Sequence, residues 1–90
     1  MSALTKEFEI VNTKGLHVRA ATVLAQLAGS FSSNVVLEHA GERANAKSVM
    51  NLLLLTAPIG ATITVIIDGE DSLNAMEAVG SLIMNGFGEA

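Results

Sequence analysis

The stretch that decides how this chain folds lies at residues 15–22 and reads Gly15-Leu16-His17-Val18-Arg19-Ala20-Ala21-Thr22. Before it, apolar and polar residues alternate over residues 4–11 with the period of a β-strand. After a turn at residues 12–15, apolar residues recur at helical spacing over residues 18–28, and Gly29 is a suitable helix end. The stretch therefore marks the passage from a first strand to a first helix.

The remainder of the chain shows patterns that predict three more strands and two more helices. The strands are expected at residues 34–39, 42–46 and 62–67, and the helices at residues 48–55 and 72–84. Ser48 and Asp71 stand where N-cap residues are expected. The last helix should bury one face, formed by Leu73, Met76, Val79 and Ile83. The order βαββαβα predicts an α+β fold, in which the helices cover one face of a four-stranded sheet.

Composition favours one small domain over residues 1–90, because half of the residues are apolar and can form a single core. The absence of cysteine excludes disulfides and thiol catalysis. With a net charge of −4 and only three aromatic residues, the chain lacks the basic stripe and stacking surface of a nucleic-acid binder. Its longest strongly apolar run, residues 52–55, is far shorter than the ~20 residues of a membrane span. With no secretory pattern at the N-terminus, these features predict a cytoplasmic protein without membrane insertion.

The chemistry of residues 15–22 indicates phosphoryl groups. The start of a helix presents free backbone N–H groups and the positive end of the helix dipole, which together bind anions. Histidine can act as a nucleophile near neutral pH, and arginine pairs with phosphate oxygens through its fork of donors. His17 and Arg19 therefore indicate a histidine that receives and passes on a phosphoryl group, beside the backbone amides of Val18 and Ala20. This chemistry requires no metal and no cofactor.

Three segments together resemble one known family. Residues 15–22 are accompanied by Lys47-Ser48-Val49-Met50 and by Gly60-Ala61 at the start of the predicted fourth strand. With the same element order along essentially the whole chain, the sequence resembles the HPr family, the histidine-containing phosphocarriers of the bacterial phosphotransferase system. The resemblance implies an open-faced β-sandwich, in which three helices cover one face of a four-stranded antiparallel sheet.

The resemblance also implies a function for the histidine. In this family the residue matching His17 is phosphorylated on Nδ1 by Enzyme I, which draws the phosphoryl group from phosphoenolpyruvate. The carrier then passes the group to a histidine of an enzyme IIA protein, in sugar uptake or its regulation, and the residue matching Arg19 helps to hold it. Such a protein is a stoichiometric carrier rather than a stand-alone catalyst, and we expect it to be a monomer.

The predicted second helix has two implied roles. In some bacteria the serine matching Ser48 is phosphorylated by an ATP-dependent HPr kinase/phosphorylase, although a serine here is equally suited to be a plain helix cap. The resemblance places Val49, Met50 and Leu53 among the positions that dock partners. Because residues 52–55 are all leucine, this helix could instead be deeply buried or serve self-association.

One position departs from the family pattern, which has proline directly after the arginine where this chain has Ala20. Proline lacks an N–H group and fixes φ, so alanine adds a donor at the helix start and loosens the loop. We hypothesise that phosphorylation survives, whereas partner choice or the stability of the phosphohistidine has changed.

Two other functions remain compatible with the sequence. A regulatory relative, of a nitrogen-type branch or controlled through Ser48, would act mainly by protein contact. A small anion-binding domain would use the helix start to hold phosphate or a metabolite without transferring it.

Overall fold

Four strands and three helices make up residues 3–89, the part of the chain that the computed structural model describes. In chain order the elements are β1 (Leu4–Glu9), α1 (Val18–Gly29), β2 (Asn34–His39), β3 (Glu42–Asn45), α2 (Val49–Leu54), β4 (Thr62–Asp68) and α3 (Ser72–Met84), followed by a short 3-10 helix at Gly86–Gly88. The strands form one antiparallel sheet in the order β1-β4-β2-β3. The predicted α+β fold is confirmed. Within residues 3–89, no helix has the length and apolar character needed to cross a membrane.

The alternation of residues in β4 explains why the sheet buries one face. Ile63, Val65 and Ile67 are fully buried, whereas the residues between them are half-buried. Because β4 lies between β1 and β2, its buried side chains adjoin those of both neighbours, with Val35 opposite Ile67 and Leu37 opposite Val65. Side chains alternate between the two faces of a strand, so one face of the sheet meets the helices and the other faces solvent.

Small side chains allow α1 to approach the core closely. Ala20, Ala21 and Ala28 are fully buried, and Leu24 is the large apolar residue that fills the space between them. This face continues the helical spacing expected from the sequence. The start of α1 is therefore held by packing along the whole helix.

The prediction for α3 is wrong at one residue. The rest of the predicted face is buried, but Leu73 is 75% exposed. At about 100° per residue, Leu73 lies roughly a quarter of a turn away from the centre of the buried face. That face instead includes Gly80, where a Cβ would lie only 2.6 Å from the Cζ atom of Phe8, so the aromatic ring packs directly on the helix backbone.

The chain leaves β1 earlier than predicted. The strand ends at Glu9, because the chain then pairs with the loop before β4 rather than with the strand itself. Ile10 donates its N–H to the carbonyl oxygen of Ala61 at 2.9 Å, and Gly60 donates to the carbonyl oxygen of Ile10 at 2.8 Å. These bonds guide the chain across the end of the sheet towards α1.

A close backbone contact anchors the loop before α1. Gly15 has a φ of +65°, in the left-handed region that favours glycine, and a Cβ there would lie 2.5 Å from the carbonyl oxygen of Ala57. The next residue, Leu16, donates its N–H to the same oxygen at 2.9 Å. The start of α1 is therefore fixed against the connection between α2 and β4.

The predicted cap of α3 binds another segment. Asp71 stands at the N-cap position, but its carboxylate caps none of the described amides of that helix. It accepts hydrogen bonds from the N–H groups of Ser32 and Ser33, each at 2.9 Å, and from the hydroxyl of Ser33. The hydroxyl bond, followed by the amide bonds, lowers the pKa of Asp71 to about 2. The carboxylate thus ties the loop between α1 and β2 to the start of α3.

We expect Gly15→Ala to lower the free energy of unfolding by more than about 1 kcal/mol, because it adds both left-handed backbone strain and a clash. Urea unfolding followed by circular dichroism measures the change. Gly29→Ala is the matched control, since no heavy atom outside its own helix and neighbours lies within 4 Å of the position its Cβ would take. The control should be neutral or slightly stabilising. A Gly15→Ala protein as stable as the wild type would contradict the close contact.

The carboxyl group of Asp71 should make the free energy of unfolding depend on pH in the acidic range. A carboxyl group whose pKa is lower in the folded protein stabilises the fold above its unfolded pKa and loses this effect as the pH falls. Because the pKa moves from 3.8 to about 2, the loss should occur between these two pH values. Asp71→Asn should therefore lower the melting temperature at neutral pH, and its difference from the wild type should shrink as the pH falls through that window.

Thermal unfolding scans from neutral to acidic buffer check this prediction. Asp68→Asn is the control, because it removes the same charge from an exposed residue at the end of β4. It should keep the wild-type profile. A gap between Asp71→Asn and the wild type that stays constant down to pH 2 would show that the carboxylate charge is not the cause.

Candidate functional site

His17 lies at the N-cap of α1, as the sequence predicts, with the extended backbone angles φ −89° and ψ −176°. The first hydrogen bond of the helix runs from the N–H of Ala21 to the carbonyl oxygen of His17 at 2.8 Å. The amides of residues 18–20 precede that bond, so the helix itself provides no acceptor for them. With the helix dipole they form a region that attracts anions, next to an imidazole ring that is 28% exposed.

Two residues that sequence reasoning did not single out hold the imidazole ring. Nε2 of His17 forms a hydrogen bond with Oε2 of Glu89. Asn12 donates through Nδ2 to Oε1 of Glu89 at 2.9 Å and to the carbonyl oxygen of Gly15 at 2.7 Å. From the sequence, Asn12 is only part of a predicted turn, yet its side chain is buried, with 5% of the residue exposed. Glu89 is 72 residues from His17, so no local pattern links them.

Glu89 is ionised at neutral pH. The hydrogen bond from Asn12 is the main cause that lowers the pKa of the Glu89 carboxyl group. The hydrogen bond from His17 and the charge interactions with His17 and Lys14 lower the pKa further, while partial burial opposes them. An ionised carboxylate can only accept hydrogen bonds. Its two oxygens are used by Asn12 and His17, so the end of the described chain is tied to the start of α1.

Cationic side chains border an open depression beside Glu89. The depression has a volume of about 240 Å³ and is lined by Thr13, Lys14, Arg19 and Glu89. Arg19 is the second residue of α1, and Lys14 belongs to the turn before it. Both are exposed, so their side chains can approach an anion at the helix start and donate hydrogen bonds to it. Residues 3–89 hold no group of three or more side chains arranged to bind a metal.

Ser48 lies at the N-cap of α2, where the sequence predicts a cap. Its hydroxyl oxygen accepts a hydrogen bond from the N–H of Asn51 at 3.2 Å, and the residue is half-buried. The neighbouring Lys47 donates through Nζ to the carbonyl oxygen of Phe31 at 2.9 Å. Ser48 therefore serves as a helix cap on a different helix from His17.

One side of α2 is apolar and exposed, so the alternative of a deeply buried helix is wrong. Met50 is 72% exposed and Leu54 is 75% exposed, while Val49 and Leu53 are half-buried against the core. Within the helix only Leu52 is buried. Because α1 packs against α2, this apolar side belongs to the same helical layer that presents His17. Leu54 is not among the docking positions that the family resemblance implies.

Comparisons with known proteins agree on one family. A family model described as "PTS HPr component phosphorylation site" matches residues 4–85. The chain is 45% identical over 86 residues to the phosphocarrier protein HPr of Cupriavidus necator, covering 96% of this chain and 97% of that protein. It is 39% identical over 90 residues to the phosphocarrier protein NPr of Shewanella violacea, covering 100% of this chain and 99% of that one.

A solved structure of an HPr protein has the same fold. The crystal structure of HPr-C-His from Thermoanaerobacter tengcongensis superposes on this fold with a TM-score of 0.92 at 34% identity. The superposition covers 97% of this chain and 98% of the other. The similarity therefore extends over both the sheet and the helical layer.

Proposed function

The chain belongs to the HPr family of phosphocarrier proteins of the phosphotransferase system, and on this basis we propose that His17 carries the phosphoryl group. The observation that supports His17 most strongly is its position at the start of α1, beside free helix amides and a depression lined by Lys14 and Arg19. A phosphoryl group on the ring would meet hydrogen-bond donors and positive charge. We propose that the chain acts as a single phosphocarrier domain in the cytoplasm.

The proposed donor is phospho-Enzyme I, with phosphoenolpyruvate as the source, and the proposed acceptor is a histidine of an enzyme IIA protein. Nδ1 of His17 forms a bond to phosphorus while the bond between phosphorus and the donor breaks. The reverse exchange of bonds delivers the group to the acceptor. The protein is thus consumed and regenerated in each cycle, as a stoichiometric carrier in sugar uptake or its regulation.

Two kinds of group would hold the phosphoryl oxygens. The backbone amides of Val18 and Ala20 point from the first turn of α1, where the helix itself leaves them free. The guanidinium of Arg19 can pair with two oxygens at once through its fork of donors. Phosphoryl transfer depends mainly on positioning and charge stabilisation, which these groups supply without a metal or cofactor in the carrier.

The docking surface is proposed to lie on α2. Val49, Met50 and Leu53, with the neighbouring Leu54, form an apolar patch that ranges from half-buried to strongly exposed. Burying such a patch against a partner removes apolar area from water and favours binding. We propose that Enzyme I and the enzyme IIA protein use this surface in turn, and that the carrier meets them as a monomer.

Ser48 is proposed as a second phosphorylation site, for a kinase of the HPr kinase/phosphorylase kind. A phosphoryl group at a helix start is favourable, because it meets free amides and the positive end of the dipole. Its effect would be on docking, since Ser48 directly precedes the apolar patch on α2. Its present role as a helix cap is compatible with this proposal.

A regulatory carrier is the second candidate function. It is favoured by the relative named NPr, which is 39% identical along the full length of both chains. In this case His17 would still be phosphorylated, but the output would be regulation by protein contact. Phosphotransfer to different enzyme IIA proteins separates the two functions.

Incubation with Enzyme I and radiolabelled phosphoenolpyruvate tests the proposal. We expect acid-labile label on the wild type and none on His17→Ala. Arg19→Ala should be labelled about tenfold more slowly, because it loses a charge-assisted hydrogen bond to the phosphoryl group. Arg43→Ala removes the same charge from β3 and should match the wild type. If the wild type binds phosphate but no Enzyme I labels it, the protein is an anion-binding domain instead.

Ala20→Pro tests whether the departure from the family pattern alters transfer. Ala20 is the third residue of α1 and fully buried, and its amide is one of the free donors at the helix start. Proline would remove that donor and restrict φ. We expect both the rate of phosphorylation by Enzyme I and the rate of phosphohistidine hydrolysis to change. Identical rates for the two proteins would contradict the hypothesis.

A further inference from the structure

We propose that Glu89, clamped by Asn12, is a positioning residue for phosphoryl transfer: it holds the imidazole of His17 with its proton on Nε2 and with Nδ1 free as the nucleophile. The inference deepens the proposed function and rests on it. It assigns a role to a contact that the family pattern at residues 15–22 does not include. Its basis is the geometry of three side chains that meet at the start of α1.

Glu89 is presented to His17 by an ordered turn. After α3, the chain forms the short 3-10 helix at Gly86–Gly88, in which Phe87 has a φ of +58° and is only 5% exposed. Gly88 donates its N–H to the carbonyl oxygen of Asn85 at 3.2 Å, and Glu89 donates to that of Gly86 at 3.0 Å. The buried phenyl ring and these two bonds fix the backbone that carries the carboxylate.

Asn12 orients the carboxylate from the other side. Both of its contacts, to Gly15 and to Glu89, are made to oxygen atoms that can only accept. The amide must therefore point its NH₂ group, and not its oxygen, towards them. Each of the two N–H bonds of that group has one acceptor, so only one orientation of the Asn12 side-chain amide satisfies both hydrogen bonds. The clamp joins the loop that begins α1 to the residue that contacts His17.

The charge on Glu89 decides which ring nitrogen is protonated. Because the hydrogen bond from Asn12 lowers the pKa of Glu89, its carboxylate is an acceptor at neutral pH. Nε2 of His17 must therefore be the donor in their shared bond. In the neutral ring only one nitrogen carries a proton, which leaves the lone pair of Nδ1 available. A second group that fixes the ring of a reactive histidine in this way recurs in other enzymes and metal sites.

The transfer step is balanced with this arrangement. The Nδ1 lone pair forms the new N–P bond, and the donor takes back the electron pair of the bond that breaks. No proton has to leave Nδ1, because the ring proton already lies on Nε2. The positive charge that develops on the ring is stabilised by the Glu89 carboxylate through the hydrogen bond to Nε2. Lys14 and Arg19, which line the same depression, remain available for the phosphoryl oxygens.

Glu89→Gln separates the charge and the acceptor role from simple packing, because the side chain keeps its shape. In the unphosphorylated wild type, we expect NMR in alkaline buffer, where an ordinary imidazole is neutral, to show a hydrogen-bonded proton on Nε2 of His17. In Glu89→Gln a single acceptor oxygen remains for the two donors, Asn12 and His17, so that proton should exchange faster with water and its signal should weaken or disappear. Glu89→Asp keeps a carboxylate and should retain part of the signal. Glu42→Gln, with the same charge change on exposed β3, is the control.

Phosphorylation by Enzyme I with phosphoenolpyruvate gives the functional readout. Glu89→Gln should lower kcat about tenfold and leave the KM for the carrier unchanged, as losing the partner of a reactive histidine typically does. Glu89→Asp should recover part of the rate, and Glu42→Gln should match the wild type. A purely structural role for Glu89 would not be rescued by the shorter carboxylate.

The outcomes separate a failure of the positioning role of Glu89 from a failure of the proposed carrier function. If the wild type is phosphorylated but Glu89→Gln is equally fast, or if the wild type shows no hydrogen-bonded Nε2 proton, the positioning role is wrong and the carrier function stands. If Enzyme I does not phosphorylate the wild type at all, the carrier function is wrong.

Discussion

The contact between the loop before α1 and the backbone of Ala57 is the constraint on which the site depends. There is no room for a Cβ at Gly15, and Leu16 donates a hydrogen bond to the same carbonyl oxygen. A backbone held this tightly cannot shift along its neighbour, so the helix that follows begins at one place. His17 therefore stands at the N-cap of α1 with its ring beside the free amides. Packing of the alanine face of α1 against the core keeps the rest of the helix in register with that start.

The site joins segments from both ends of the described chain. Asn12 comes directly after the residues that leave β1, and Glu89 follows the 3-10 helix after α3. Their side chains place a negative group against Nε2 of His17. Lys14 and Arg19 line the same depression as Glu89, and the free amides of the helix start lie next to the ring, so charges of both signs surround the site. This arrangement suits the role proposed for the ring nitrogen, which would both gain and lose a phosphoryl group.

The sequence predicts the elements and the N-cap histidine because these depend on local periodicity and on residues close in the chain. The alternation in β4 and the spacing in α1 reflect burial that is repeated every two or every three to four residues. The roles of Asp71 and Glu89 depend instead on partners 38 and 72 residues away, which no local pattern encodes. The prediction that Leu73 is buried is wrong for a different reason. Leu73 lies at the edge of a helical face, where burial depends on which other elements pack against the helix.

The exposed apolar side of α2 has a consequence for recognition. Met50 is unbranched and has three rotatable bonds, so it can adopt different rotamers at little cost and fit surfaces of different shape. A rigid aromatic residue at the same place would favour one partner over others. A protein that must associate with a donor and then with an unrelated acceptor benefits from such adaptability. In the proposed docking role, α2 would offer one deformable area to each partner, and selectivity between successive partners would come from the partners' own surfaces.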